Sequence, residues 1–261
     1  VEQCVSIVRK AAVGDEVTDE DRAILAQFPG WGWLKSAALL GAINSPNAAT
    51  REMAAWVQGL GLTDIELDGV ARASYSSFFT PTPVIQGIWA ALETVVHTGI
   101  NKVLEPSAGS GLFLTASGVY DALENAKISV SEVDPFTLKV LQLLMPSDAR
   151  IGGAGFENMN VPRGSQDVVI SNVPFGDTGV VDAAMSREFG SWSTSRIHNY
   201  FIMKSILSAR QGGIVALITS RYTLDSTDKN GKEIREFMAK QGRVLSVVRM
   251  PSGTFNNAGT E

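Results

Sequence analysis

The chain has 261 residues, a length that predicts one main domain with an extension rather than two large domains. Apolar residues make up 44% of it, and no stretch approaches the roughly 20 apolar residues that a membrane-spanning helix needs. The net charge of −5 excludes the overall basic signature of a nucleic-acid-binding protein. One cysteine excludes an internal disulfide, and with only two histidines beside it we expect no metal site and a reducing compartment.

Residues 1–70 are predicted to form a helical extension, because short amphipathic segments follow one another there. Thr18 is a favourable helix N-cap, and Asp21 lies three residues further on. This region holds 5 Lys and Arg against 10 Asp and Glu, so it accounts for the whole net charge.

Residues 71–261 are predicted to form the main domain, because apolar strand-like runs alternate there with segments of helical length. The predicted strands lie in NKVLEP, KISVSEVD, QDVVISN, GIVALITS and RVLSVVRMP, and the predicted helices at 83–97, 112–124, 135–145, 199–210 and 230–241. This alternation predicts an α/β fold with a parallel sheet covered by helices on both faces. Such sheets bind ligands outside the carboxyl ends of their strands, where Glu105, Glu132 and Asn172 fall.

The segment VLEPSAGSGLFL, residues 103–114, carries a glycine turn between a predicted strand and a predicted helix. Gly109 and Gly111 allow backbone N–H groups to approach a ligand closely. The third glycine of the dinucleotide fingerprint is absent, and Glu105 precedes the turn. A carboxylate at that place favours a cationic ligand, and S-adenosylmethionine (SAM) carries an α-ammonium and a sulfonium. A plain tight turn is the alternative.

The segment ISVSEVDP places two acids about 20 residues beyond the glycines, where an acid in related sheets pairs with ribose hydroxyls. We assign Glu132 to the ribose. Asp134 directly precedes Pro135, so it is better interpreted as the cap of the following helix.

The segment DVVISNVPFGD ends a predicted strand with Asn172 and continues through Val173, Pro174 and Phe175. An exocyclic amine offers two N–H groups, which the Asn172 side-chain oxygen and a turn carbonyl, that of Val173, would accept. Holding both hydrogens favours a pyramidal nitrogen whose lone pair can attack a methyl sulfonium. Phe175 would stack on the extruded base. The alternative is an ordinary Asn–Pro turn beside a core phenylalanine.

Taken together, these elements resemble the SAM-dependent amino-methyltransferases, chiefly the N6-adenine DNA methyltransferases. That family combines a T-P segment with V-L-E-P-x-x-G-x-G, E-x-D and N-P-P-[FY] motifs in this order, and the resemblance covers about 71–250. It implies a Rossmann-like methyltransferase sheet and SAM as cofactor. The cofactor-binding residues that it implies are Phe79, Thr80, Glu105, Pro106, Ala108, Gly109, Gly111 and Glu132. The catalytic turn that it implies is Asn172, Val173, Pro174 and Phe175.

Three features depart from the family pattern. Val173 stands where the family has proline, which leaves the carbonyl but removes some rigidity. The family has an acid before Phe156 to hold the SAM adenine; here Gly155 stands there, so Phe156 is expected to stack and Glu157 to supply the carboxylate. No segment matches the family's final antiparallel strand, so we expect a sheet without it and a chain that is part of a longer protein.

The function that this resemblance implies is methylation of adenine N6 in DNA, with a role in restriction–modification. A narrower similarity to the methylase region of large phage and plasmid proteins implies DNA as partner, a downstream helicase region, and the cytoplasm of a bacterial host. Other amines remain open, namely cytosine N4, an RNA adenine or a protein glutamine, as does a non-catalytic module. The polar segment 176–199 is predicted to be a lid that moves on ligand binding, or a passive loop.

Overall fold

In the part of the chain that the structure describes, five parallel strands form a central sheet. The computed structural model describes residues 1–38, 40–96, 99–116, 123–176 and 178–255. The strands are β1 Lys102–Glu105, β2 Lys127–Ser131, β3 Arg150–Gly152, β4 Gln166–Asn172 and β5 Ala209–Ile218. They are ordered β3-β2-β1-β4-β5, and every neighbouring pair is parallel. The predicted α/β class with a Rossmann-like methyltransferase sheet is confirmed.

Helices surround this sheet and form the N-terminal part of the chain. In chain order they are α1 Glu2–Ala12, α2 Asp19–Leu25, α3 Ala48–Gly59, α4 Asp64–Ala73, α5 Thr82–Glu93, α6 Leu112–Thr115, α7 Pro135–Leu144, α8 Ala183–Phe189, α9 Trp192–Ser195, α10 Ile197–Ser208, α11 Tyr222–Asp225 and α12 Lys229–Gln241. Short 3-10 segments lie at Gly32–Ala38, Leu40–Asn44 and Phe156–Asn158.

The two faces of the sheet are covered by separate hydrophobic cores, because successive strand residues point to opposite sides. Val103 packs in a core with Ile85 and Trp89 of α5. Its neighbour Leu104 packs in a second core with Phe201 of α10. Helices therefore lie on both faces, as the near-continuous apolar strands predict.

Side-chain caps fix the starts of several helices. Thr18 and Asp21 form the capping box of α2, with N–O distances of 3.1 and 3.0 Å. Asp134 caps α7, since its carboxylate accepts from the Thr137 amide at 2.7 Å. Both caps follow the sequence pattern, and each stabilises its helix by about 1 kcal/mol.

The N-terminal helices share a third core with the main domain. Trp31 and Phe28 pack edge-to-face against Phe136 of α7, with ring centroids 5.5 and 5.4 Å apart. The Trp31 indole also donates to the Asp134 carboxylate at 3.2 Å. Helix α4 runs across residue 70, so the division into 1–70 and 71–261 stays a prediction.

Two predicted elements differ from the structure. RVLSVVRMP is not a strand: Val244, Leu245 and Val248 are 54–79% exposed, and within the described residues β5 pairs only with β4. An apolar run forms a strand only when a neighbour satisfies its backbone, and no strand in the described part of the chain pairs with it. The helix predicted over 112–124 is shorter in the structure: α6 ends at Thr115 because Ala116 is extended, and residues 117–122 lie outside the described residues.

The segment predicted as a lid is partly helical. It contains α8 and α9, and its ends are tied together by two backbone hydrogen bonds of 2.8 Å, from Ile197 to Thr178 and from Val180 to Thr194. Its motion stays a prediction. None of the helices in the described part of the chain has the length and apolar character that crossing a membrane requires.

Candidate active site

A cavity of about 640 Å³ opens at the carboxyl edge of the sheet. Its wall receives one residue from the end of each of four neighbouring strands. Glu105 and Asn172 end β1 and β4, while Glu132 and Phe156 follow β2 and β3. The chain order reverses between β1 and β4, and open α/β sheets bind their ligands at such a switch point.

Glu105 is the most deeply buried acid of the cavity. Its side chain is fully buried, and neither carboxylate oxygen has a hydrogen-bond partner among the described residues. Burial, together with the nearby Glu132 carboxylate, raises the pKa of Glu105 well above its usual range. A buried carboxylate without partners is costly, so this position favours a ligand that brings positive charge and N–H donors.

The two glycines of the turn do different work. Gly109 has φ +56°, and a Cβ there would lie 2.9 Å from the Phe79 ring, so the Phe79 side chain packs directly on the glycine backbone. Gly111 has φ +81° and does not line the cavity; a Cβ there would meet Leu141 at 2.8 Å. Gly109 thus shapes the ligand side of the turn, and Gly111 lets the turn pack on α7.

Glu132 ties the turn to the second strand. Its carboxylate accepts from the backbone amides of Gly109 and Asp134, both at 2.8 Å. Burial raises its pKa to about 7, although these two hydrogen bonds oppose the shift. The side chain lines the cavity beside Gly109, where it is available to accept from a hydroxyl of a ligand.

Hydroxyl groups also line this end of the cavity. Thr80 and Ser110 are buried, and within the described chain their oxygens have no partner. Pro106 and Ala108 line the same wall. Sequence reasoning missed Ser110, although its place between the two glycines was the available signal.

The segment after β3 forms another wall. Phe156 is fully buried, with its ring centroid 5.2 Å from that of Phe201. A Cβ at Gly155 would overlap the carboxylate of Glu157, so that carboxylate occupies the space where a side chain of residue 155 would begin. The backbone of Gly155 has φ −61°, which any residue adopts. That Glu157 supplies the carboxylate which the family pattern expects at position 155 stays a prediction, and the proximity of the two positions agrees with it.

Asn172 has a fixed amide. Its Nδ2 donates to the Phe78 carbonyl at 2.8 Å, while its Oδ1 is buried and has no donor among the described residues. Pro174 also lines the cavity. Val173 is instead buried in the core beneath, and Phe175 is half-buried between the cores of the two sheet faces. Stacking of Phe175 on a base therefore stays a prediction. In this structure the Phe175 ring is not among the residues that line the cavity.

Acids outnumber bases among the ionisable residues that line the cavity. Glu105, Glu132, Asp134 and Glu157 line it, and Arg72 is the single Lys or Arg among the lining residues that the structure describes. This balance and the buried, unpartnered Glu105 carboxyl group fit SAM, which carries an ammonium and a sulfonium, better than an anionic dinucleotide.

A parallel sheet in this order, with a glycine turn and a buried acid at its switch point, has the architecture of the SAM-dependent methyltransferase fold. The structure resembles a putative class I SAM-dependent methyltransferase from Listeria monocytogenes, with a TM-score of 0.55 and 14% identity over 90% of this chain and 70% of that one. It also resembles the methyltransferase subunit of a type I restriction–modification system from Streptococcus thermophilus, with a TM-score of 0.52 and 16% identity over 91% and 59% of the two chains. These likenesses show the fold.

The sequence model of the N-6 DNA methylase family matches residues 67–261, and the chain belongs to that family. It is 25% identical over 264 residues to defense against restriction protein B of Escherichia phage P1. The match covers 99% of this chain and 9% of that relative, so the chain spans less than a tenth of its length. The predicted resemblance is confirmed, and the cofactor is SAM. A helicase region downstream stays a prediction.

Proposed function

We propose that this chain transfers the methyl group of SAM to the exocyclic N6 amine of adenine in DNA. Membership of the N-6 DNA methylase family supports the substrate class. The observation that carries the proposal is the Asn172 amide, whose nitrogen is held by the Phe78 carbonyl while its oxygen is left as a buried acceptor in the cavity wall.

The residues divide the work between two ends of the cavity. SAM supplies an electrophilic methyl group on a sulfonium. Glu105 offers its carboxylate to the α-ammonium, Glu132 accepts from the ribose hydroxyls, and Glu157 accepts from the adenine amine of the cofactor. Phe79, Thr80 and the 106–109 backbone enclose the methionine part, and Phe156 packs against the adenine.

At the other end Asn172 Oδ1 accepts one N–H of the target amine, and the Val173 carbonyl accepts the second. Pro174 limits the movement of the turn. Two acceptors on one amine favour a pyramidal nitrogen with a free lone pair, which fixed dipoles stabilise most in the transition state. The surplus proton leaves to solvent after transfer, so no side chain acts as base.

Contacts to the DNA backbone come largely from outside this chain in our proposal. The chain has a net charge of −5, and acids outnumber bases among the ionisable residues that line its cavity. Phosphate neutralisation by Lys and Arg provides much of the affinity of DNA-binding proteins. A chain with more acidic than basic residues is therefore expected to bind DNA weakly by itself.

Methyl transfer to unmethylated DNA, followed by nucleoside analysis, tests the proposal. We expect N6-methyladenine from the wild-type chain, loss of SAM binding in Glu105→Ala, and loss of transfer with retained SAM binding in Asn172→Ala. An adenine-free duplex, RNA and protein serve as competing acceptors. Methyl groups on any of these but not on DNA adenine would overturn the proposed substrate.

The placement of Phe175 favours a second candidate, a SAM-binding module that performs no base methylation. Its half-buried ring packs against two cores and is absent from the cavity lining, which favours this candidate over a stacking role for Phe175. SAM binding without transfer to any acceptor, at DNA concentrations high enough to offset weak binding, would establish this alternative.

A further inference from the structure

Lys204 of α10 lies behind the cofactor end of the cavity. Its side chain is 15% exposed, and its amine donates to the carbonyls of Phe156 at 2.5 Å and Glu157 at 3.2 Å. The amine also lies 5.0 Å from the centroid of the Phe156 ring. An ammonium held by two consecutive carbonyls fixes the backbone of a segment, and this segment carries two residues of the cavity wall.

Asp182 fixes the start of α8, directly after a second segment of the cavity wall. One carboxylate oxygen caps α8 by accepting from the amides of Ala184 and Met185, both at 3.0 Å. The three residues Gly179, Val180 and Val181 directly before it line the cavity. The position of Asp182 therefore determines where residues 179–181 join α8.

The hydroxyl of Tyr200 joins the two. It donates to the second oxygen of Asp182 at 2.7 Å, and it accepts from the Lys204 amine at 3.2 Å. Tyr200 is fully buried, and all three donors of the Lys204 amine then have partners. Such a buried network is stable only while each member is present, because removing one leaves the others without partners.

We propose that Asp182, Tyr200 and Lys204 are positioning residues that couple the cofactor wall at 156–157 to the wall at 179–181. None of the three lines the cavity, so they act through the segments that they hold. A ligand that orders one wall orders the other, so SAM binding prepares the surface that meets the acceptor. The acceptor half of this inference rests on the proposed adenine methylation, whereas the cofactor half rests only on the proposed placement of SAM against residues 156–157.

Tyr200→Phe is the sharpest test, because it removes one oxygen and keeps the ring that packs on Phe156 and Phe201. We expect the Kd of SAM, measured by calorimetry, to rise about three- to tenfold, as loss of one buried hydrogen bond implies. Lys204→Met should have a larger effect, and Lys204→Arg, which keeps charge and donors, should recover part of it.

Lys139→Met is the matched control, since Lys139 pairs with Glu66 at 2.8 Å and does not line the cavity. A purely structural network would lower Tm in Tyr200→Phe and leave the Kd of SAM unchanged, and that result would overturn the proposal.

The second readout is the Kd of a fluorescent adenine-containing DNA, with and without S-adenosylhomocysteine. We expect the cofactor product to tighten DNA binding in the wild type and to do so less in Tyr200→Phe. Equal tightening in both chains would overturn the coupling. Because the chain alone is expected to bind DNA weakly, methyl transfer at high DNA concentration, and not DNA affinity, decides the proposed function. If the wild type shows no measurable DNA binding, the Kd of SAM alone decides whether the network positions the cofactor wall.

Discussion

The side-chain nitrogen of Asn172 donates to the backbone carbonyl of Phe78 at 2.8 Å, across 94 residues of sequence. This contact fixes the orientation of the amide, because a carbonyl accepts only from the nitrogen side. The Asn172 oxygen is consequently the group that lies buried and without a donor in the described cavity wall. The segment before α5 thus orients the residue at the end of β4.

Asn172→Asp is expected to lose methyl transfer while retaining SAM. The variant keeps an acceptor but places a carboxylate against the Phe78 carbonyl, so the fixed orientation is lost. We expect kcat to fall about 10²- to 10³-fold, the usual effect of removing one oriented group at a developing charge. The Kd of SAM should change by less than about threefold, because the variant loses only the Asn172–Phe78 hydrogen bond, which lies outside the proposed SAM-binding residues.

Asn101→Asp is the control for this change. Asn101 also donates its side-chain nitrogen to a backbone carbonyl, that of Gly99, but it precedes β1 at the opposite edge of the sheet. Kinetic assays of both variants should separate them, and equal kcat for Asn172→Asp and wild type would contradict the assigned role.

The sequence predicted the parallel sheet and most of the strand-end residues, because strand and helix periods and the glycine turn are local properties. Glu105, Glu132 and Asn172 lie at strand ends as expected. The Asn172–Phe78 contact and the Lys204 network join distant segments, so no local pattern encodes them. The apolar run 243–251 was misassigned because periodicity cannot tell whether a neighbouring strand is present.

Gly109→Ala is expected to weaken both folding and cofactor binding, whereas Gly164→Ala should affect folding alone. The two glycines have similar φ values of +56° and +62°, so alanine costs each about 1–2 kcal/mol of unfolding free energy. A Cβ at 109 also meets the Phe79 ring, while one at 164 meets nothing within 4 Å. Chemical denaturation and SAM titration of both variants test this, and identical SAM affinities would contradict a role for Phe79.

The carboxylate of Glu157 is expected to be transferable to position 155. Glu157→Ala should raise the Kd of SAM about tenfold, as loss of a hydrogen bond to a charged group implies. The double variant Gly155→Asp with Glu157→Ala should recover much of that loss, because the new carboxylate begins in the space that Glu157 vacates. Gly155→Ala with Glu157→Ala is the control without a carboxylate, and recovery there would show that packing, not charge, matters.

SAM affinity is expected to fall as the pH falls through about 7. Burial raises the pKa of Glu132 from its usual 4.5 to about 7, so this carboxyl is half protonated at neutral pH in the free chain. A ribose hydroxyl donates to the ionised form, so SAM binds that form more tightly and lowers the pKa. The apparent Kd should therefore rise by about tenfold per pH unit below 7 and level off above about 8.

The variant Glu132→Gln tests whether Glu132 causes the pH dependence of SAM affinity, because glutamine can still accept from the Gly109 amide but does not titrate. The slope of log Kd against pH should decrease by about one proton in the variant, and Glu105, whose pKa is also raised, accounts for any slope that remains.

The stability of the cofactor-free chain is expected to change with pH in the opposite direction to its SAM affinity. The folded state holds a proton that the unfolded state releases, so the unfolding free energy of the wild type should decrease as pH rises from about 4.5 to 7. Calorimetric titrations of SAM at pH 6, 7 and 8 test the binding prediction. Parallel plots of log Kd against pH for the wild type and Glu132→Gln would show that Glu132 does not contact the cofactor.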